Sequence, residues 1–123
     1  MEFEKILAKG KTIASVNSYE LMVADGQSAL DLIATMRYET DCDCMVIPSS
    51  YFPAEFFILS TGLAGEILQK FVNYGMKLAI VGDFSGYTSK PLKGLIYECN
   101  RGNSVFFTGT VEEAVIKLSE SGG

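Results

Sequence analysis

The chain has 123 residues, of which 48% are apolar, and its ten cationic and fifteen acidic side chains give a net charge of −5. The apolar fraction excludes a disordered chain, and the acidic balance disfavours a nucleic-acid binder that relies on positive charge. The sequence contains no histidine, so the usual general base near neutral pH and the usual metal ligand are both missing. At this length we expect one domain over residues 1–123, ordered to about residue 119.

Hydrophobic periodicity predicts the following elements in chain order. The strands are short apolar segments, at residues 2–7, 12–17, 45–47, 78–82 and 104–107. The helices carry apolar residues three and four positions apart. The first starts at residues 25–28 and ends near 39–41, and the others lie at 61–74, 89–102 and 110–118. A polar loop around Gly10 suits a hairpin between the first two strands. The segment 49–59 has no clear period, although Pro53 suits the first turn of a helix.

Several polar side chains have the positions of helix caps. Ser28 and Asp31 have the spacing of a capping box, as do Thr110 and Glu113. Ser89 is suited to cap the third helix. We expect the chain to fray from residue 119 onward.

This element order, β-β-α-β-α-β-α-β-α, predicts an α/β fold in a single domain. Buried strands joined by helices imply right-handed crossovers and a mostly parallel sheet, to which the N-terminal hairpin adds an antiparallel pair. The charged N-terminus predicts no signal peptide, and no apolar run is long enough to span a bilayer. Three cysteines, an odd number, suit a reducing compartment, so we expect a cytoplasmic protein without membrane contact.

One long segment resembles a known family. It runs from Phe56 to Phe84 and reads FFILSTGLAGEILQKFVNYGMKLAIVGDF. This segment closely resembles an uncharacterised bacterial group, family 4180 of the domains of unknown function. The later segments IYECNRG, from Ile96, and Phe106-Phe107 match the same pattern. The resemblance implies a small bacterial protein and no particular activity.

The element order is also similar, more distantly, to that of STAS domains, the fold of anti-sigma-factor antagonists. Their signature is an Asp-Ser-Ser-Gly-like step at the start of a central helix, and Leu59-Ser60-Thr61-Gly62 occupies the corresponding place. The resemblance implies a regulatory module that binds a protein partner and is phosphorylated on Ser60 or Thr61. A phosphate there would be stabilised by free backbone N–H groups and the helix dipole. The structural alternative is that Ser60 or Thr61 simply caps the helix.

A second candidate site is the loop after the strand at 78–82. Asp83, Ser85 and Tyr87 could line a ligand crevice, because ligands of open α/β sheets bind beyond the carboxyl ends of the strands. The Ser89 helix start would then face an anion. The alternative is an ordinary strand-to-helix turn, since loops of this composition are common.

The cysteines are interpreted as structural. A zinc site needs about four ligands, and Cys42, Cys44 and the distant Cys99 do not supply them, so we predict no metal and no cofactor. Asp41 and Asp43 flank the first two thiols and are expected to raise their pKa and lower their reactivity.

One helix end has residue types common at interfaces. Tyr97, Glu98, Asn100 and Arg101 are either ordinary surface residues or a partner-binding patch.

A cluster of aromatic residues falls in the segment without a clear period. It consists of Tyr51, Phe52, Phe56 and Phe57. These side chains are either core or an exposed apolar patch for self-association, and the second possibility suggests a homodimer.

Taken together, these features favour a non-enzymatic module that binds a protein partner or a second copy of itself, and neither nucleic acid nor membrane. The alternative is a domain that binds a small molecule or an anion through its strand-end loops. We expect no catalytic residue, because no activated nucleophile is visible, although a mechanism using only the carboxylates of Asp83 or Glu66 stays open.

Overall fold

The computed structural model describes residues 3–17 and 22–121 of the chain. Its centre is a five-stranded sheet with the spatial order β1-β2-β3-β4-β5. The strands are β1 (Phe3–Ala8), β2 (Lys11–Val16), β3 (Cys44–Pro48), β4 (Lys77–Val81) and β5 (Val105–Thr108). β1 pairs with β2 in antiparallel fashion, and all other neighbours are parallel. The predicted mixed, mostly parallel sheet with an N-terminal hairpin is therefore confirmed.

Four α-helices and three short 3₁₀ turns complete the structure. The helices are α1 (Gly26–Thr40), α2 (Leu63–Asn73), α3 (Lys90–Arg101) and α4 (Val111–Glu120). The 3₁₀ turns lie between β3 and α2, at Ser49–Tyr51, Ala54–Phe57 and Leu59–Thr61. The predicted element order is confirmed, and the segment without a clear period consists of these three turns. No helix within the described ranges is both long and apolar enough to cross a bilayer.

The sheet is covered on both faces, but unequally. Side chains of α1, α2 and α3 pack on the face that includes Met45, Ile47 and Ile80. α4 alone packs on the opposite face, against Val46 and Phe106. Successive side chains of a strand point to opposite faces, so β3 and β4 bury both faces and read as continuous apolar runs.

The hairpin between β1 and β2 closes through a two-residue turn. Lys9 and Gly10 both have positive φ, 51° and 79°. Two successive residues with positive φ are typical of the type I′ turn, whose twist matches the flanking strands. The predicted hairpin at Gly10 is confirmed, and residue 2, which was predicted to start β1, lies outside the described residues.

A capping box is present at the start of α1, but it is not formed by the predicted pair of Ser28 and Asp31. Asp25, not Ser28, is the N-cap, and its Oδ1 accepts a hydrogen bond of 2.8 Å from the Ser28 backbone N–H. The Ser28 hydroxyl accepts the reciprocal bond from the Asp25 N–H at 3.0 Å. Because the helix already begins at Gly26, Ser28 occupies the third helical position, and Asp31 instead accepts a hydrogen bond from Gln27.

Ser89 and Thr110 cap α3 and α4 as predicted, but only the Thr110 half of the predicted capping box with Glu113 is formed among the described residues. The end of α4 also differs from the prediction. Ser89 Oγ accepts from the Leu92 N–H, and Thr110 Oγ1 from the Glu113 N–H. α4 continues to Glu120, and Ser121 is buried, so fraying from residue 119 is wrong for 119–121.

Two lysines explain why the end of α4 is held. Lys11 Nζ donates to the Ser121 carbonyl at 2.7 Å, and Lys77 Nζ donates to the Ser121 hydroxyl at 3.0 Å. Cations near a helix C-terminus also interact favourably with the helix dipole. Residues 122–123 lie outside the described part of the chain.

Candidate functional site

The aromatic segment between β3 and α2 belongs to the core. Phe52, Phe56 and Phe57 are buried, and Tyr51 is half-buried. The rings of Phe52 and Phe56 lie 4.5 Å apart, and those of Phe56 and Phe57 lie 5.0 Å apart. The core interpretation is confirmed and the exposed patch is wrong, because these rings pack beneath α2 in the main cluster. The homodimer stays a prediction without this support.

The same cluster continues into the loop after β4. The ring of Tyr87 stacks on Phe57 with a centroid separation of 5.3 Å and an interplanar angle of 23°. Phe84 lies 6.3 Å from Phe57 and 5.4 Å from Phe107, the latter edge-on. Edge-on and offset contacts at these distances are the favoured geometries of aromatic pairs. The rings thus join the two loops that leave the carboxyl ends of β3 and β4.

Between these loops lies a cleft of about 470 Å³, hereafter the carboxyl-end cleft. One wall is Ala54 with residues 57–60, and the other is residues 86–89 with Pro91. The cleft therefore brings together Ser60 and Tyr87, which the sequence assigned to two separate candidate sites. Asp83 and Ser85 do not line it.

The lining of the carboxyl-end cleft is uncharged. Among the described residues that form it, none is acidic or basic. Its apolar lining residues include Phe57, Ile58 and Leu59, and four of its residues carry hydroxyls. These hydroxyls belong to Ser60, Tyr87, Thr88 and Ser89. A mostly apolar concave surface with a few polar groups is the usual character of a small-molecule site.

The hydroxyls of Ser60 and Thr61 have different surroundings. Thr61 Oγ1 lies 2.8 Å from the carbonyl oxygens of both Glu55 and Ile58, to which it donates. It also accepts a 3.2 Å hydrogen bond from the Leu63 N–H. Thr61 therefore holds the turn and satisfies the first N–H of α2. Both residues are exposed, so the difference between them lies in the hydrogen bonds of their hydroxyls.

Gly62 sets the position at which α2 begins. It is the N-cap residue and has a φ of 78°, a conformation that glycine adopts without steric cost. The helix starts at Leu63, so its predicted start at Thr61 is wrong. A 3₁₀ turn over Leu59–Thr61 occupies the preceding residues instead.

Asp83 and Ser85 bind each other. Asp83 Oδ1 accepts from the Ser85 hydroxyl at 2.6 Å and from the Ser85 N–H at 3.0 Å. These two bonds hold the pKa of the Asp83 carboxyl below its ordinary value, the side-chain bond contributing most. An aspartate that binds a backbone N–H two residues on is a common way to form a turn.

The N-terminus of α3 offers little to an anion. Pro91 has no N–H group, and the Leu92 N–H is already bound to Ser89 Oγ. Of the first three helical positions only Lys90 keeps a free backbone donor in the described structure. Several converging N–H groups are what makes a helix start bind anions, so the predicted anion site at Ser89 gains no support from this geometry.

A second cleft of about 470 Å³ lies at the amino ends of the strands. Its lining includes Lys11, Lys77, Asp41 and Asp43, together with Cys42 and Cys44. Within residues 3–17 and 22–121, no three or more His, Cys, Asp or Glu side chains are placed so that they could hold a metal ion.

The cysteines are packed into the protein. Cys42 and Cys44 are buried and Cys99 is half-buried against the core. Burial is the main cause that raises the pKa of the Cys44 thiol, and Lys11 and Lys77 oppose it. Burial is also the main cause that raises the pKa of the Cys99 thiol, and Glu98 makes a smaller contribution in the same direction. The predicted rise in the pKa of Cys44 is therefore confirmed and Asp43 contributes to it, although burial rather than the neighbouring acid is its main cause.

The residues at the end of α3 divide into two groups. Asn100 donates to the Phe107 carbonyl at 3.1 Å and accepts from the Phe107 N–H at 2.8 Å, which ties α3 to β5. Arg101 lies over the ring of Tyr97, 5.4 Å from its centroid, and 3.9 Å from Glu98. Asn100 is thus a structural residue, whereas the Tyr97 ring is 62% exposed.

The sequence missed part of the carboxyl-end cleft. Ile58, Leu59 and Thr88 line it, but no local pattern distinguishes them from ordinary loop residues. The one available signal was the run of three hydroxyl residues, Tyr87 to Ser89, directly before a helix.

Comparison with known proteins gives one match. The model of the family described as "Domain of unknown function (DUF4180)" matches residues 8–118. No curated protein and no solved structure matches the chain, so the more distant STAS similarity is not confirmed. Because the family model covers nearly all of the sequence, the chain belongs to the DUF4180 family, as its central segment predicted.

Proposed function

We propose that the protein is a non-enzymatic binding module that takes a small, uncharged ligand in the carboxyl-end cleft. One observation carries this proposal. Two loops that are distant in sequence contribute Ser60 and Tyr87 to a single cleft without charged lining residues. The position agrees with the general rule that open α/β sheets bind ligands beyond the carboxyl ends of their strands.

The lining indicates what kind of ligand would fit. A flat apolar group would pack against Leu59 and the ring of Tyr87, which is already stacked on Phe57. Hydroxyls of Ser60 and Thr88 would bind a polar substituent on that group. A charged ligand would lose hydration without gaining an opposite charge, which is costly.

The two carboxylates left open for a catalytic role are engaged elsewhere in the protein. Asp83 Oδ1 is bound to Ser85, outside the cleft. Glu66 Oε2 accepts a 2.6 Å hydrogen bond from the Gly26 N–H and so links α2 to the start of α1. A general base must reach the proton that it removes, and neither carboxylate lines the carboxyl-end cleft.

A matched set of fragments tests the proposal. We expect indole and phenol to bind, and indole-3-carboxylate and tryptamine to bind at least about tenfold more weakly, because the lining offers no partner charge. Ligand-observed NMR would measure the affinities.

The substitution Ile58→Glu places a charge at the rim of the carboxyl-end cleft and should abolish indole binding. The variant should fold because Ile58 is 52% exposed. Thr12→Glu, at the amino-end cleft, is the control.

Two results would overturn the proposal. One is equal affinity for the neutral and charged fragments. The other is an Ile58→Glu variant that binds indole as well as the Thr12→Glu control does.

A second candidate function is a regulatory module that binds a protein partner under the control of Ser60. Its support is the contrast between the two hydroxyls. Both residues are exposed, but the Thr61 hydroxyl is engaged by two carbonyl oxygens. Ser60 lies at the rim of the cleft, and its hydroxyl has no hydrogen-bond partner among the described residues. We propose that any phosphorylation falls on Ser60 rather than Thr61. Cytoplasmic location and self-association stay predictions within this candidate.

Phosphopeptide analysis of the protein from its native host tests this candidate. We expect phosphate on Ser60 and none on Thr61. A Ser60→Asp variant should change partner capture, and Ser50→Asp, at another exposed serine, should not. Phosphate on Thr61, or identical capture by both variants, would contradict it.

A further inference from the structure

The outward side of α3 is the most basic helix surface of this acidic chain. α3 carries Lys90, Lys93 and Arg101 against one acid, Glu98, for a net charge of +2. Since the whole chain carries −5, the remainder carries −7. At about 100° per residue, the three cations and Tyr97 fall within an arc of roughly 80°. They therefore form one stripe, on the side of α3 away from the buried Leu92.

This stripe borders a shallow groove of about 380 Å³. We call the groove and its walls the α3 flank. It consists of Phe84, Lys93, Ile96, Tyr97, Asn100 and Arg101. Phe84 and Ile96, both half-buried, supply apolar surface, and the exposed Tyr97 stands beside the Arg101 guanidinium. The α3 flank thus combines an apolar base with cations at both ends.

The cations of the α3 flank are available to a partner. Within the described part of the chain, Lys90 and Lys93 form no ion pair, and Arg101 reaches Glu98 only at 3.9 Å. By contrast, Lys9 pairs with Glu120 and Arg37 pairs with Asp43. Lys93 therefore keeps its full attraction for an opposite charge, and that of Arg101 is offset only in part by Glu98.

The neighbouring edge of the sheet decides how a partner can dock. β5 is an edge strand, and the carbonyls of Ser104 and Thr108 point toward β4, so the N–H and C=O of Phe107 point to the open side. Asn100 occupies both of these Phe107 groups. A partner cannot add a β-strand past this point and must be recognised by side chains of the α3 flank.

We propose that the α3 flank docks an acidic segment of a protein partner. Lys93 and Arg101 would pair with its carboxylates, and Tyr97 would pack against an apolar side chain between them. Tyr and Arg are enriched at protein interfaces and at the residues that dominate binding energy. A nucleic acid is disfavoured because a long phosphate backbone would meet the −7 charge of the remaining chain.

Fluorescence anisotropy tests this proposal with labelled peptides on the full chain. The probe is a peptide of repeated Glu-Glu-Leu triplets, and its counterparts replace Glu by Gln or by Lys. We expect only the acidic peptide to bind, and its affinity to fall as the salt concentration rises.

The double substitution Lys93→Glu and Arg101→Glu should weaken binding of the acidic peptide by about tenfold or more. Lys5→Glu with Lys117→Glu makes the same charge change at two exposed sites elsewhere and is the matched control.

Tyr97→Ala separates recognition from plain charge attraction. We expect it to weaken binding of the acidic peptide at unchanged net charge. The proposal is overturned if the control pair, Lys5→Glu with Lys117→Glu, weakens peptide binding as much as Lys93→Glu with Arg101→Glu does. It is equally overturned if neither pair of substitutions weakens peptide binding. It is also overturned if duplex DNA binds the flank more tightly than the peptide, or if Lys93→Glu instead dissociates a homodimer formed through this surface.

Discussion

The two ends of the parallel strands carry clefts of equal size and opposite chemistry. Each measures about 470 Å³. The carboxyl-end cleft is lined by aromatic, aliphatic and hydroxyl groups, whereas the amino-end cleft contains two lysines, two aspartates and two cysteines. The two clefts cannot be distinguished by volume. The cleft whose polar groups have fewer partners within the protein is the better candidate for binding a ligand.

At the amino end, three of the four charged side chains that line the cleft already have partners in the protein. Lys11 and Lys77 hold Ser121, and Asp43 pairs with Arg37 at 3.3 Å. At the carboxyl end, an exposed Ser60 hydroxyl faces the loop that carries Tyr87. The comparison indicates that the amino end stabilises the fold and that the carboxyl end is suited to binding.

The largest expected effect comes from the carboxyl end. An alanine Cβ at Gly82 would collide with Ser49 Oγ and lie 2.7 Å from Ser49 Cβ. We expect Gly82→Ala to lower the free energy of unfolding by about 1–3 kcal/mol. Gly86→Ala, where a Cβ meets nothing within 4 Å, should change it little. Denaturant unfolding measures both, and equal stability of the two variants would show that the loops are not packed as described.

The second effect tests the structural role of the amino end. Lys77→Met removes a donor to the buried Ser121 hydroxyl, and we expect a loss of about 1–2 kcal/mol in the free energy of unfolding. Lys117→Met, at an exposed position of α4, should cost much less. Chemical denaturation compares them. If Lys77→Met weakened indole binding without lowering stability, the roles of the two ends would be reversed.

A smaller effect depends on pH. A hydrogen bond from Lys9, followed by its charge, holds the pKa of Glu120 below the ordinary value of 4.5. A lowered folded-state pKa means that the ionised carboxylate stabilises the fold above pH 4.5 and that this contribution disappears as the pH falls through the lowered value. Relative to Glu120→Gln, the wild type should therefore lose stability across that window. Parallel pH profiles of the two proteins would contradict this prediction, and added salt should weaken the effect.

The smallest expected effect is that of Asp83→Asn, which is compared with Tyr87→Ala in the same loop. Asp83→Asn should leave indole affinity unchanged, because Asp83 lies outside the lining of the carboxyl-end cleft. Tyr87→Ala should weaken indole binding strongly. A large change in affinity for Asp83→Asn would show that the carboxylate belongs to the site.

The framework of the fold could be predicted because its signals are local. β3 and β4 are buried on both faces and therefore stand out as short continuous apolar runs. Ser89 and Thr110 are recognisable as caps because each binds an N–H only three residues on. Such features need no knowledge of the rest of the chain.

Apart from the members of the α1 capping box and the start of α2, which are local errors, what the sequence did not predict depends on contacts between distant residues. The three 3₁₀ turns between β3 and α2 have no helical period, and their rings are held by Tyr87 and Phe84 from another loop. The end of α4 is held by Lys11, which lies far away in sequence. Ser60 and Tyr87 were each singled out, but their meeting in one cleft requires β3 and β4 to be neighbours, which no local pattern encodes.

The central claim is that the carboxyl-end cleft, and not the amino-end cleft, is the binding site. Backbone amide NMR spectra recorded during an indole titration test it most directly. We predict that chemical-shift changes are confined to residues 54–60 and 86–90 and that they saturate as indole is added. The Ile58→Glu variant should show no such saturable changes. Changes centred on residues 11–12, 41–44 and 75–77 would contradict the claim, as would an absence of change at both ends.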